Sequence, residues 1–221
     1  MRQQSAWHWH YEQVTPTSEP AGRPYGGQSA TERRLSRRRR LIEAVLDLVD
    51  ESGIESLSVG AICERASVSK KHLYLSFSSL DDLTEETLTD VLAQAADRIV
   101  AASAELDRDV SRARIIEVAV QEILTAFDDP RVARLYLEAP GNRGLRAARD
   151  DAVARFVTQL LTLLAADRAD DPRAQLIARV LVGGTTEGVA LWLRGEVTLD
   201  RIELVATLVT LGVDAVDRIL E

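Results

Sequence analysis

From Thr31 almost to the C-terminus, apolar residues recur at the spacing of helix faces, with no convincing strand-like alternation. Leu41, Ala44, Val45, Leu48 and Val49 form an i, i+3, i+4, i+7, i+8 stripe, which predicts a first helix ending at Gly53. Two short helices follow, at about 58–65 with Ser58 as N-cap and at about 69–75 with Ser69 as N-cap. Ser79, with Asp82 three residues on, reads as a capping box. It opens a long helix whose stripe is Leu80, Leu83, Thr87, Leu88, Val91, Leu92, Ala95 and Ile99.

The later segments repeat the theme. Ile116, Val120, Ile123, Leu124 and Phe127 make the face of a fifth helix. A short sixth starts at Pro130 and stops before Pro140–Gly141, and a seventh carries Val153, Phe156, Val157, Leu160 and Leu164. Pro172 begins an eighth, running to about Gly195, and Thr198 caps a ninth. The last two are apolar nearly all round, so they need cover on every side. A second copy of the chain, packed through about 172–195 and 198–220, is the simplest cover. Gly184 and Gly188, four residues apart, would let its helices approach closely. The expected class is all-α, about nine helices. Residues 1–30, rich in Gln, Ser, Thr, Pro and Gly, read as a disordered tail. Its "WHWHY", Trp7 to Tyr11, offers two histidines and lacks the further ligands a structural metal site needs.

Composition narrows the setting. Hydrophobic residues at 46% and charged residues at 28% are an ordinary globular mix. One cysteine, Cys63, excludes an internal disulfide and fits a reducing cytoplasm. No run approaches the roughly 18 apolar residues of a membrane span, so no membrane partner is expected. The net charge of −8 is unevenly spread. Residues 1–75 carry 11 basic and 9 acidic side chains, against 16 and 26 for residues 76–221. A small anion-binding unit joined to a larger acidic one gives this asymmetry.

The chemistry concentrates at "ERASVSKKHLYLSF", Glu64 to Phe77, which holds both lysines of the chain. Two short helices with a tight turn between them form a helix-turn-helix. Ile62, Ala66, Val68, Leu73 and Phe77 are spaced to close a small core with Leu41, Val45 and Leu48. Ser69, Lys70, Lys71, His72 and Tyr74 are then left outside, on a helix of the kind that enters the major groove of DNA.

Residues 39–83, "RRLIEAVLDLVDESGIESLSVGAICERASVSKKHLYLSFSSLDDL", resemble the TetR family of bacterial transcriptional regulators. The resemblance lies in Gly53, the Ser58–Val59 start, Ile62, Ala66, Val68–Ser69, Leu73–Tyr74, Phe77, Ser79 and Leu83. Beyond them it holds only in layout. It implies a helix-turn-helix head at 31–78 and an effector-binding and dimerisation body at 79–221. It also implies a homodimer on a palindromic double-stranded operator, most simply a repressor released by a small-molecule effector. Tyr74 and Ser58 resemble the family's phosphate-contacting residues. Lys70, Lys71 and His72 are candidates for base reading, and Arg39 and Arg40, in the run 33–40, for backbone contact by a flexible arm. Tyr136, Phe156 and Trp192 are candidates for the effector wall. The body's acidity hints at a cationic effector, although a solvated acidic surface explains it better.

Three departures from the family pattern stand out. Ser67 replaces a usual Gly, Lys71 and His72 replace common Gly and Thr, and Leu80 replaces a frequent phosphate-contacting Lys. The last keeps open an all-α interaction protein that has lost DNA binding. No catalytic set, metal cluster or phosphate loop is visible, so neither an enzyme nor a cofactor is expected. A nucleophilic Cys63 would have only His72 near it in sequence.

Overall fold

A computed structural model describes residues 29–107 and 109–221. The "WHWHY" segment and nearly all of the expected tail lie outside the described residues. Among the described residues there are nine α-helices and no strand. They are α1 (Ala30–Ser52), α2 (Val59–Ala66), α3 (Lys70–Tyr74), α4 (Leu80–Ala104), α5 (Arg112–Thr125), α6 (Pro130–Glu138), α7 (Arg143–Leu164), α8 (Pro172–Leu193) and α9 (Arg201–Leu220).

Local chemistry sets most boundaries. Ser58, Ser69 and Ser79 each accept a backbone N–H of the helix they cap. The capping box expected at Ser79 is not reciprocal. The Asp82 carboxylate instead accepts from the backbone N–H and hydroxyl of Ser78, at 2.6 and 2.8 Å. A full capping box joins Ser29 to Glu32, so the arginine run 33–40 lies inside α1 rather than on a flexible arm. Asp200, not Thr198, caps α9, because its carboxylate and Glu203 satisfy the first turn reciprocally.

α1, α2 and α3 enclose a small core of Leu41, Val45, Ile62, Leu73 and Phe77, all essentially inaccessible to water. α4 joins this unit to the rest and packs on both α5 and α7. α7 packs on α8, α8 on α9, and α9 on α5, which closes the larger helical layer. The buried Thr87 of α4 donates to the Leu83 carbonyl at 2.8 Å, so its hydroxyl is satisfied within the helix. Gly212 marks a true close approach: a Cβ there would lie 2.8 Å from Ile116 of α5. Gly184 faces open space and Gly188 meets Leu208 at an ordinary 4.0 Å.

By length and composition, α8 is apolar enough to cross a membrane, contrary to the sequence expectation. The reason is its weak amphipathicity, with only Arg173, Arg179 and Glu187 charged along it. Here it packs on α7 and α9.

Candidate nucleic-acid interface and internal cavity

The α2–α3 turn is Ser67–Val68–Ser69. Ser67 adopts φ 50°, ψ 47°, and is the only non-glycine with positive φ among the described residues. That backbone lets the N–H groups of Ser67 and Val68 bond back to Glu64 and Cys63, closing α2 as α3 departs. Val68 is buried at the corner, so the turn is fastened to the core.

Lys70, Lys71 and Tyr74 project from α3 into solvent, with Tyr74 56% exposed. Leu75 beside it is 68% exposed, an apolar neighbour that periodicity did not single out. Ser58, the α2 cap, is exposed as well. His72 behaves differently. Its Nδ1 lies 2.9 Å from the Ser69 hydroxyl and the residue is half-buried, which leaves Nε2 as the ring nitrogen not engaged by Ser69. Ser69 is thus engaged twice, by this contact and by the His72 N–H.

The arginine run divides. Arg38 turns inward, pairs with Glu86 of α4 and lies 4.7 Å above the Phe77 ring. Arg40 approaches the Ser67 carbonyl to 3.5 Å, next to the turn. Arg39 is exposed and lines a different surface, a groove that α1 shares with α4 and α6. Leu80 is partly buried against the core, so the side chain in the lysine's place serves packing. Cys63 is buried in α2, and that burial pushes its thiol up, away from the thiolate a nucleophile needs.

The N-terminal unit is bolted to the larger layer through α6. Arg131 reaches Glu43 and Asp47 of α1 at 3.1 and 2.6 Å, and Asp129 at 2.7 Å. Arg134 donates to the Asp50 carbonyl at 2.6 Å, and Glu138 accepts the Ile54 N–H at 2.6 Å. The Arg131 hydrogen bonds hold the Asp129 carboxyl below its ordinary range.

The opposite face of α6 borders a cavity of about 590 Å³ enclosed by α4, α5, α6, α7, α8 and α9. Tyr136 and Phe156 line it, as expected. Trp192 does not: its indole N–H donates to the Leu199 carbonyl at 2.8 Å, so the ring fastens the α8–α9 connection. Leu92, Ile99, Ile116, Val120 and Val182 supply much of the apolar wall.

A polar cluster sits on this wall. Tyr136 donates to the Thr186 carbonyl at 3.2 Å and accepts from Arg149 at 3.2 Å. The Arg149 guanidinium also stacks on the Tyr136 ring at 4.5 Å. Burial, above all, pushes the Tyr136 hydroxyl above its usual range. Gln159 donates to the Ala96 carbonyl, while its own buried Oε1 has no partner among the described residues. Neither Arg149 nor Gln159 was singled out in sequence, since a helical arginine or glutamine gives no signal of facing a cavity.

Among known proteins, residues 41–87 match the family model of bacterial regulatory proteins of the tetR family. The HTH-type transcriptional regulator BetI of Cronobacter sakazakii is 28% identical over 168 residues, covering 73% of this chain and 80% of that one. A transcriptional regulator from Rhodococcus sp. RHA1 shares the fold at a TM-score of 0.55 and 25% identity, over 83% of this chain and 95% of that chain. FadR of Bacillus subtilis, solved in complex with stearoyl-CoA, shares it at a TM-score of 0.61 and 18% identity, over 83% and 97%. With the helix-turn-helix matched in sequence and the remaining helices matched in arrangement, residues 41–87 are a tetR-family helix-turn-helix unit and the chain as a whole has the fold of TetR-like regulators.

Proposed function

We propose that the protein is an effector-released repressor of a palindromic operator, acting as a homodimer in the cytoplasm. Residues 31–78 are the DNA-binding head and residues 79–221 the effector-binding and dimerisation body. The observation that carries the reading is the exposure of Lys70, Lys71 and Tyr74 together on α3, against a fixed turn. Lys70 and Lys71 read guanine acceptors, and His72 offers Nε2 to a base edge or phosphate. Tyr74, Ser58, Ser69 and Arg40 meet the phosphate backbone, Ser69 chiefly through the helix start it caps, whereas Arg39, in the groove α1 shares with α4 and α6, stands apart from them.

The cavity supports an effector, and α6 supports a route for its signal. Tyr136 on one face of α6 borders the cavity, while Arg131, Arg134 and Glu138 hold α1 of the head. An effector that prefers a displaced Tyr136 biases α6, and with it the angle of the head. It does so only by its differential affinity for the two arrangements. The FadR complex with stearoyl-CoA shows a bulky acyl ligand in that protein and supports a ligand role for a shared architecture.

Selection of bound sequences from random duplex DNA tests the reading, with an inverted repeat expected. Lys70→Ala with Lys71→Ala should then weaken binding to the selected site by at least about 2 kcal/mol, from two base contacts of roughly 1–3 kcal/mol each. Its association state should stay unchanged. If the wild type fails to bind any duplex at low salt, the chain is an interaction protein of the same fold.

A further inference from the structure

The cavity's lining assigns a chemical class to its ligand, an inference that rests on reading the cavity as the effector site. We infer that the ligand is an amphipathic anion: a single alkyl or acyl chain ending in a carboxylate, its head at Arg149 and Arg146.

The polarity of the wall runs along α7. Arg146, Arg149 and Asp150 line the cavity at one end of this helix, and Leu160, Leu163 and Leu164 line it at the other. At 1.5 Å per residue, Arg149 and Leu164 are about 22 Å apart along the axis. Ala152, Val153 and Phe156 lie between them, and Gln159 is the one polar side chain α7 contributes there. The lined space is therefore long, with charge at one end and hydrocarbon beyond it. Its volume, about 590 Å³, falls among small-molecule pockets of roughly 300–1,000 Å³.

The charged end favours an anion. The Arg149 side chain is only 16% exposed, and its acidic partner among the described residues, Glu187, stands 3.8 Å away. Glu187 is itself held at 3.1 Å by Arg194. A desolvated guanidinium with so distant a partner gains from a carboxylate placed against it. Tyr136 fixes the guanidinium plane by stacking and by its hydroxyl, leaving other donors of the fork to the ligand. Arg146, one turn before Arg149, adds a second positive charge to the same wall, and no ion pair engages it among the described residues. Asp150 opposes them from a solvent-exposed position, where its field and that of the equally exposed Arg146 are both screened, so the largely buried Arg149 carries most of the preference. Arg179 also lines the cavity; it lies on α8, eight residues before Glu187 and so about 12 Å along that helix from the Arg149 level. Across the whole lining, Arg146, Arg149 and Arg179 stand against Asp150 and Glu187, a small positive excess in an otherwise acidic body.

The test uses three probes of equal chain length at pH 8: dodecanoate, dodecanol and dodecyltrimethylammonium. Binding to the full-length protein is followed by calorimetry. The expected order is dodecanoate first, by roughly tenfold or more over dodecanol, with the cation weakest. Arg149→Gln and Arg146→Gln should each reduce that preference while leaving dodecanol binding intact. Arg149→Lys should retain part of it, and Arg179→Gln all of it. Arg146 is exposed, so its variant remains informative even if Arg149→Gln misfolds. Equal affinity for the three probes, or preference for the cation, overturns the inference and leaves the effector cavity standing. Loss of the preference in Arg179→Gln alone overturns the assigned head position. If no probe binds, the effector reading of the cavity falls with it.

Discussion

Ser67 spends conformational energy that its position does not require. At φ 50° and ψ 47° its Cβ crowds the backbone, at a cost on the order of 1 kcal/mol that a glycine avoids. The side chain is exposed and makes no cap of its own. Ser67→Gly should therefore stabilise the protein by about 0.5–1 kcal/mol even after the added freedom of the unfolded chain. The melting temperature should rise by roughly 1–4 °C for a chain of this size, as a thermal unfolding curve would register. A fall would mean that the hydroxyl carries an interaction the turn depends on. At this scale the head was readable in sequence because its signals are short-range. Serine caps, a buried Val68 and an outward lysine pair follow from spacing alone. His72 was not readable as a partner of Ser69, since either side chain had a free rotamer outward.

Among the elements, α6 joins the cavity wall to α1 through Arg131 and its neighbours. Removing Arg131 leaves Asp129, Asp47 and Glu43 facing one another without their shared cation. These groups are partly solvated, so the loss in stability should be modest, about 1 kcal/mol. The coupling of head to body should suffer more, because the ion pairs cross between them. In Arg131→Ala, operator affinity should fall and effector release should shrink, both measurable in one DNA titration with and without ligand. The pH dependence has a definite sign. The folded Asp129 carboxyl lies below its ordinary value of about 4, so its contribution is complete above that value. It is lost as pH drops through the lower folded value. Thermal unfolding between pH 5 and 3 should destabilise the wild type more steeply than Arg131→Ala; parallel curves would deny the clamp. Pro130 and Pro140–Gly141 bounded α6 in the sequence but said nothing of this clamp, whose partners lie 84 and 88 residues apart.

The whole molecule poses the question of what covers α8 and α9. Their existence and apolar character followed from composition; which face stays uncovered depends on how six helices enclose the cavity, and no local pattern encodes that. The same limit explains Trp192: a buried-side residue can face a cavity or a loop with equal periodicity. Within one chain, Leu176 and Val180 remain 63% and 67% exposed, and Gly184, one turn further, meets nothing. Positions 176, 180 and 184 form one straight row, which a second copy's helices can enter at the glycine. A row of this kind needs the rest of a standard interface, about 800 Å² per partner, for a stable dimer. α9 offers Leu211, more than half exposed, toward that total. Two substitutions separate dimerisation from folding. Val180→Glu adds a charge the single chain can solvate but an apolar seam cannot. Gly184→Phe adds bulk where the single chain has room and an approaching helix has none. Both variants should keep their helical circular dichroism, elute at the mass of one chain where the wild type has two, and lose high-affinity operator binding. That last loss follows from geometry: a single head meets one half-site, whereas a two-fold dimer spans two, about 34–36 Å apart or a multiple of it. A wild type that is monomeric by light scattering, or a Gly184→Phe variant that still dimerises, would move the seam elsewhere.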